Sequence, residues 1–203
     1  IVLFGTEPFT SQLVGSNLKA YREHLTWIKH RPSNFANAKY MHMKYTEDII
    51  VFGYHKPTFN RQMMRRTSPR IRELQKNGWV KKTTSESNVS FKSSKGNGEI
   101  DSKIYSPDFK NPSDYLEFPA VVNNSKEKTD HPTQKPIKLL KYLIKTYTNP
   151  ADLVLDNCMG SGSTGVSCVE TGRNFIGMEL DQHYFEVSQQ RIKRAQEERS
   201  HER

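Results

Sequence analysis

Aspartate at position 156, glycines at 160, 162 and 165, and glutamate at 179 form the set of residues in this chain best suited to chemistry. The strand-like run Ala151–Leu155 leads into Asp156, and Asn174–Leu180 carries Glu179. Both read as short buried strands, each ending near an acid. The glycines satisfy G-x-G-x-x-G, a turn in which the backbone can approach a ligand closely, followed by a helix N-terminus. The same spacing could be a structural turn with no ligand. It is not a phosphate-binding loop, because the lysine of G-x-x-x-x-G-K-[ST] is missing. A carboxylate at Asp156 would repel a pyrophosphate lying on the helix N-terminus. It would attract a cation. S-adenosylmethionine (AdoMet) carries an ammonium and a sulfonium and no phosphate, so an acid, a glycine turn and a second acid able to accept from ribose hydroxyls suit it. A nicotinamide-dependent oxidoreductase is the competing reading that the glycines alone would permit; Asp156 argues against it.

These residues need a scaffold, and the pattern predicts one. Ile137, Leu140, Leu143, Ile144 and Tyr147 recur at helical spacing after Pro136. Asn149–Asp152 breaks that helix, and the strand to Asp156 follows. A helix over 163–171 ends at Gly172, the second strand follows, and Asp181 caps a last helix through Tyr184, Phe185, Ile192 and Ala195. The unit is α/β with parallel strands. Only one strand and one helix follow the glycine turn, so the rest of the sheet must come from earlier in the chain. Residues 1–4, 25–30 and 47–54 are the candidate strands, which puts the cofactor half last, in permuted order.

The 203 residues carry a formal charge of +9, which favours a polyanionic partner. Between Tyr54 and Lys128 there are 15 Lys and Arg against 8 Asp and Glu, so most of the excess lies in one middle segment rich in Ser, Asn, Lys and Gly. The expected organisation is residues 1–53 as one half of a catalytic domain, 54–128 as a basic insertion, and 129–203 as the cofactor half. Arg61, Arg65, Arg66 and Arg70 could contact phosphate or form a solvated basic face. Trp79 could wedge into DNA or close a small subdomain. Two cysteines, Cys158 and Cys168, provide neither a disulfide framework nor a metal cluster; both read as small packing residues, and no metal is expected. With so few cysteines a reduced, cytoplasmic setting is the default expectation, and since no apolar run approaches the ~20 residues of a membrane helix, no membrane partner is expected. Trp27, Phe35 and Tyr40 read as core, Glu7 as a helix-start acid or a residue near the pocket.

The motifs together resemble the β-class of amino-DNA methyltransferases, of bacterial or phage type, which modify adenine N6 or cytosine N4. Asp156–Thr164 is similar to the family's AdoMet loop D-P-F-x-G-S-G-T, with Asn157 and Cys158 in place of Pro and Phe. His131–Pro136 (HPTQKP) resembles the element preceding that loop, Gly177–Asp181 the ribose-binding acid motif, and residues 1–9 and 44–52 two strand motifs of the catalytic half. Thr46 stands where a His is common.

The resemblance implies an AdoMet-dependent methyltransferase sheet in permuted order with a target-recognition insertion, and DNA as partner; a homodimer is compatible with it. It implies cofactor roles for His131, Thr133, Lys135, Asp156, Asn157, Cys158, Gly160, Gly162, Ser163, Thr164 and Glu179. His131 and Lys135 could also belong to an ordinary loop, and Thr133 could merely cap the following helix. The family's catalytic tetrapeptide, D/N/S-P-P-Y/F, is absent from residues 1–203. The resemblance implies that it lies upstream of Ile1 and that the chain by itself does not transfer methyl groups. Adenine N6 is the expected target; cytosine N4, or a catalytically dead remnant that binds DNA or AdoMet, remains open.

Overall fold

Alternation of apolar residues builds the main sheet. The computed structural model describes residues 1–65 and 109–201. These fall into two compact units, Ile1–Asn60 with Ser113–Arg203, and Arg61–Pro112. In the first, strands β1 (Val2–Gly5), β2 (Tyr21–Ser33), β3 (Lys44–Phe52) and β6 (Tyr115–Glu117) form one sheet in the order β1-β3-β2-β6. β3 runs antiparallel to both neighbours, whereas β6 lies parallel to β2 with Trp27 opposite Leu116.

The run Ile49-Ile50-Val51-Phe52 is apolar throughout because both faces of β3 are covered. Ile49 packs on one face with Leu25, Trp27, Leu116, Leu139 and Leu143. Ile50 and Phe52 pack on the other with Ala20, Leu13 and Val14, the last two from helix α1 (Phe9–Ser16). Leu139 and Leu143 belong to helix α2 (Ile137–Tyr147), whose buried stripe also includes Leu140 and Ile144. Each such leucine contributes roughly 1.5–3 kcal/mol by leaving water. The Tyr147 hydroxyl donates to Glu23 (2.7 Å), fastening α2 to β2.

The cofactor-like stretch follows: β7 (Leu153–Asp156), helix α3 (Ser163–Thr171), β8 (Asn174–Gly177) and helix α4 (Gln182–His201). β7 and β8 are parallel, in the register Leu153 to Asn174 through Asp156 to Gly177. The helix–strand–turn–helix–strand–helix order read from the sequence is present. One expectation needs correction. Of the expected segments 1–4, 25–30 and 47–54, residues 2–4, 25–30 and 47–52 do lie in strands, but among the described residues no ladder joins them to β7 and β8, which form a separate two-stranded sheet.

The second unit contains β4 (Met64–Arg65) and β5 (Phe109–Lys110), paired antiparallel. The Arg61 guanidinium donates to Asn111 Oδ1 at 3.2 Å. Arg66, Arg70 and Trp79 lie outside the described residues. The segment leaving the first unit is narrower than the shift in composition suggested, because Tyr115–Glu117 is a strand of the main sheet.

Candidate cofactor site

β7 ends in Asp156, and the chain must reverse into α3 within six residues. Gly160 (φ 51°) and Gly162 (φ 76°) take the left-handed conformations that this reversal needs. Neither position has room for a side chain: a Cβ on Gly160 would lie 2.6 Å from His131 Nε2, and one on Gly162 2.7 Å from Ser188 Cβ. The glycines therefore serve both backbone conformation and close packing.

Two carboxylates flank the turn. Asp156 accepts from the Thr164 hydroxyl (2.6 Å) and from the Cys158 N–H (3.2 Å). Glu179 accepts from the N–H groups of Asp181 (3.0 Å), Gly160 (2.7 Å) and Leu180 (2.9 Å). These backbone donors, Asp181 foremost, hold its carboxyl below the usual range, so it is an anion. Neither acid has a salt-bridge partner among the described residues. A carboxylate offers about four acceptor positions, so each retains capacity for a further donor. Two carboxylates without a cation beside a glycine turn fit a ligand that brings positive charge and hydroxyl donors, and AdoMet brings both.

His131 packs over this turn. Its ring meets Tyr184 edge-on at 4.6 Å, and its Nδ1 is buried with no hydrogen-bond partner among the described residues. Burial lowers its pKa, with Glu179 opposing, so the imidazole is neutral at pH 7. Thr133 is exposed and does not cap α2. Glu127 does that, its carboxylate accepting from the Ile137 N–H at 2.9 Å. Lys135 is engaged elsewhere: Nζ lies 2.6 Å from Glu47 Oε1 and over the rings of Phe4 and Trp27, at 5.0 and 5.8 Å. Ser163 is buried against the Arg191 guanidinium (3.2 Å). Asn157 is exposed, and so is Cys158, which is therefore not a packing residue; Cys168 is buried, its thiol pushed up to about 12 by desolvation.

Several supports of the site carry no local sequence signal. Gln134 is buried, accepts from the Thr129 N–H and hydroxyl (both 2.9 Å) and donates to Glu127 O (2.6 Å), fixing the segment that carries His131. Arg191 of α4 donates to Ser161 O (2.5 Å) and Ser161 Oγ (3.0 Å), bracing the turn from below. Neither follows a local spacing rule; the bonds span 5 to 30 residues of chain. Glu7 accepts from the Ser11 hydroxyl (2.8 Å), as a helix-start acid does. Trp27 is core, 2% exposed, with its indole N–H on Phe118 O at 2.7 Å. Phe35 and Tyr40 are not core: they are 78% and 87% exposed, because both fall in the β2–β3 connection, beyond the reach of the sheet.

A family model described as DNA methylase matches residues 10–190. The chain is 41% identical over 81 residues to the DNA adenine methyltransferase YhdJ of Escherichia coli (strain K12), covering 40% of this chain and 28% of that protein. It is 42% identical over 78 residues to the type II methyltransferase M2.MboI of Moraxella bovis, covering 38% and 29%. The matched stretches thus span under a third of these relatives. Among solved structures, the M1.HpyAVI–SAM complex superposes with a TM-score of 0.60 at 25% identity, covering 94% of this chain and 72% of that one. The cytosine-N4-specific PvuII DNA methyltransferase does so with a TM-score of 0.60 at 15% identity, covering 94% and 62%, a likeness of fold.

Proposed function

Because the chain belongs to the DNA methylase family, we propose that it is the AdoMet-binding and DNA-recognising part of a methyltransferase acting on the exocyclic amine of a DNA base, most specifically adenine N6. S-adenosylmethionine is the cofactor, and when bound it supplies a methyl group activated by the sulfonium. The observation that carries this reading is the pair of uncompensated carboxylates, Asp156 and Glu179, on either side of a turn that tolerates no side chain at Gly160 or Gly162. Adenine is supported by the likeness to YhdJ, a DNA adenine methyltransferase.

The chain's own residues have separable tasks. Asp156 presents negative charge to the ammonium end of the cofactor. Glu179 accepts from its ribose hydroxyls. The Gly160–Gly162 backbone lies beneath its methionine portion, and His131 holds that backbone in place by packing over it. Asn157, Cys158 and Thr164 line the turn from which the donor is presented. Arg61, Arg65, Arg66 and Arg70, in the basic middle segment, contact the DNA backbone. Residues 1–203 contain no D/N/S-P-P-Y/F tetrapeptide, so the group that localises the amine lone pair is assigned to none of them.

Calorimetric titration with AdoMet tests the cofactor assignment. Asp156→Ala and Glu179→Ala should each weaken binding by roughly 1–3 kcal/mol, the scale of a charge-assisted hydrogen bond, while NAD should not bind. Unchanged affinity in both variants sinks the assignment. The target base is read separately, by mass spectrometry of nucleosides from methylated DNA. N4-methylcytosine in place of N6-methyladenine would overturn the base choice and leave the fold reading intact.

A further inference from the structure

Between Glu23 and Glu47 the chain contains no acidic residue, but it contains Lys29, Arg31, Lys39 and Lys44 together with His24, His30 and His42. This stretch forms the end of β2, the connection and the start of β3. Lys29 is buried and lies within reach of Ser33 (3.0 Å) and Glu47 (3.9 Å). Arg31, Lys39 and Lys44 have no ion-pair partner among the described residues.

The connection is not a slack loop. Asn34, at φ 59°, clamps its neck: Oδ1 accepts from the Lys44 N–H (2.8 Å) and Nδ2 donates to His42 O (3.4 Å). A 3-10 turn over Phe35–Asn37 follows. The N–H groups of Asn37, Ala38, Tyr40 and Met41 are all bonded within the loop, at 2.9 to 3.1 Å. On this preformed backbone three large apolar side chains face water: Phe35 at 78%, Tyr40 at 87% and Met41 at 53% exposure. Single exposed apolar residues are ordinary; three within seven residues on a fixed loop mark an interaction site. Arg31, at the neck, also lines an open hollow of about 530 Å³ with Val121, Val122, Asn123 and Asn124.

The charge restricts the partner. A second copy meeting this tip would bring the same unpaired cations against it. A polyanion with flat apolar faces matches both features at once, and a nucleic acid is such a polymer. We propose that the β2–β3 loop, residues 34–43, is a DNA-contacting element separate from the basic middle segment, with Phe35 and Tyr40 against base faces and Arg31, Lys39 and Lys44 against phosphates. The inference rests on the reading of the protein as DNA-binding and adds a surface to it.

Fluorescence anisotropy of the chain with a labelled duplex and with its single strand, over a range of salt concentrations, provides the test. The double substitution Phe35→Ala with Tyr40→Ala should weaken binding to at least one of the two by about tenfold, within the range for lost base stacking, with the salt dependence unchanged. Tyr40→Phe should retain affinity. Lys39→Ala should lower the slope of log affinity against log salt by about one. All these side chains are exposed, so circular dichroism and AdoMet affinity should not move. If the unaltered chain binds DNA and the double variant and Lys39→Ala both bind as it does, the proposal fails while the DNA reading stands. If the unaltered chain binds neither oligonucleotide, the DNA reading fails and takes the proposal with it. Loss of binding to vesicles rich in anionic lipid, or of a dimer in sedimentation, with DNA affinity unchanged would assign the tip to a membrane or a second copy and overturn the proposal.

Discussion

The glycine turn after β7 and the loop between β2 and β3 are both short reversals containing positive-φ residues, yet they are built to opposite ends. In the turn, Gly160 and Gly162 have no free space, and the two flanking acids already accept from the turn or its neighbours. In the loop, Asn34 closes the neck while Phe35 and Tyr40 stand in solvent. The first brings backbone close to a small ligand; the second holds side chains away from the body of the protein. Precision at the turn comes from packing against distant elements, α4 and the His131 segment. Precision in the loop is local, through hydrogen bonds confined to residues 34–44.

The largest effect should come from adding an atom where the turn has no room. In Gly162→Ala the new Cβ would lie 2.7 Å from Ser188 Cβ and 2.9 Å from its Cα, with φ at 76°. Left-handed strain costs of order 1–3 kcal/mol and overpacking a similar amount, so a loss of about 2–6 kcal/mol is expected in urea unfolding. Ala38→Gly in the β2–β3 loop, where φ is −60°, serves as the contrast and should cost less than about 1 kcal/mol. Equal losses at the two positions would end the distinction between a packed turn and a locally stabilised loop.

That distinction also governs what could be read in advance. The turn was legible because its constraints appear as residue types: glycine where no Cβ fits, and acids at strand ends. The helices over 137–147 and 163–171 were legible because a one-sided apolar stripe and a glycine stop are local signals. The loop was not legible. Phe35 and Tyr40 looked like core because aromatic residues are usually buried, and nothing in their spacing says that the chain leaves the sheet after Ser33. The roles of Gln134, Glu127 and Arg191 were hidden for another reason. Each polar side chain answers a need created by folding, an orphan helix N–H or a turn carbonyl, at a position far away in sequence. The separation of β7 and β8 from the main sheet has no sequence signal either, since strand patterns identify strands and not their neighbours.

A middle-sized effect should follow from removing the brace under the turn. Arg191 donates to Ser161 O, Ser161 Oγ and Ser163 Oγ, and both serines are buried. Arg191→Met keeps most of the side-chain packing and removes the donors, leaving buried acceptors unsatisfied at roughly 1–3 kcal/mol. Stability should fall by about that amount, and AdoMet affinity should fall with it, because the turn's position depends on this contact. A stability loss with unchanged AdoMet affinity would show that the turn keeps its shape without support from α4.

The smallest effect concerns His131 and His183, which should respond to acid in opposite senses. His183 pairs with Asp130 at 2.5 Å on the surface; that hydrogen bond first, and the Asp130 charge second, raise its pKa above the ordinary 6.5, and the same bond lowers Asp130 below 3.8. The stability that His183 contributes is fully present below pH 6.5 and is lost as pH rises through its raised folded value. That of Asp130 is present above pH 3.8 and is lost as pH falls through its lowered folded value. The pair therefore favours the fold most strongly between these limits. His131 behaves oppositely. Burial lowers its folded pKa, so the unfolded chain takes up the proton first, and stability falls as pH drops below 6.5 toward the folded value. Between pH 7.5 and 5.5, His131→Asn should remove a loss of stability and His183→Asn should remove a gain, both read as shifts in urea midpoint. Proton NMR titration of the two imidazoles should place His183 above His131. The reverse order would mean that the His131 ring is open to water, and the close packing over Gly160 that defines the turn would have to be abandoned.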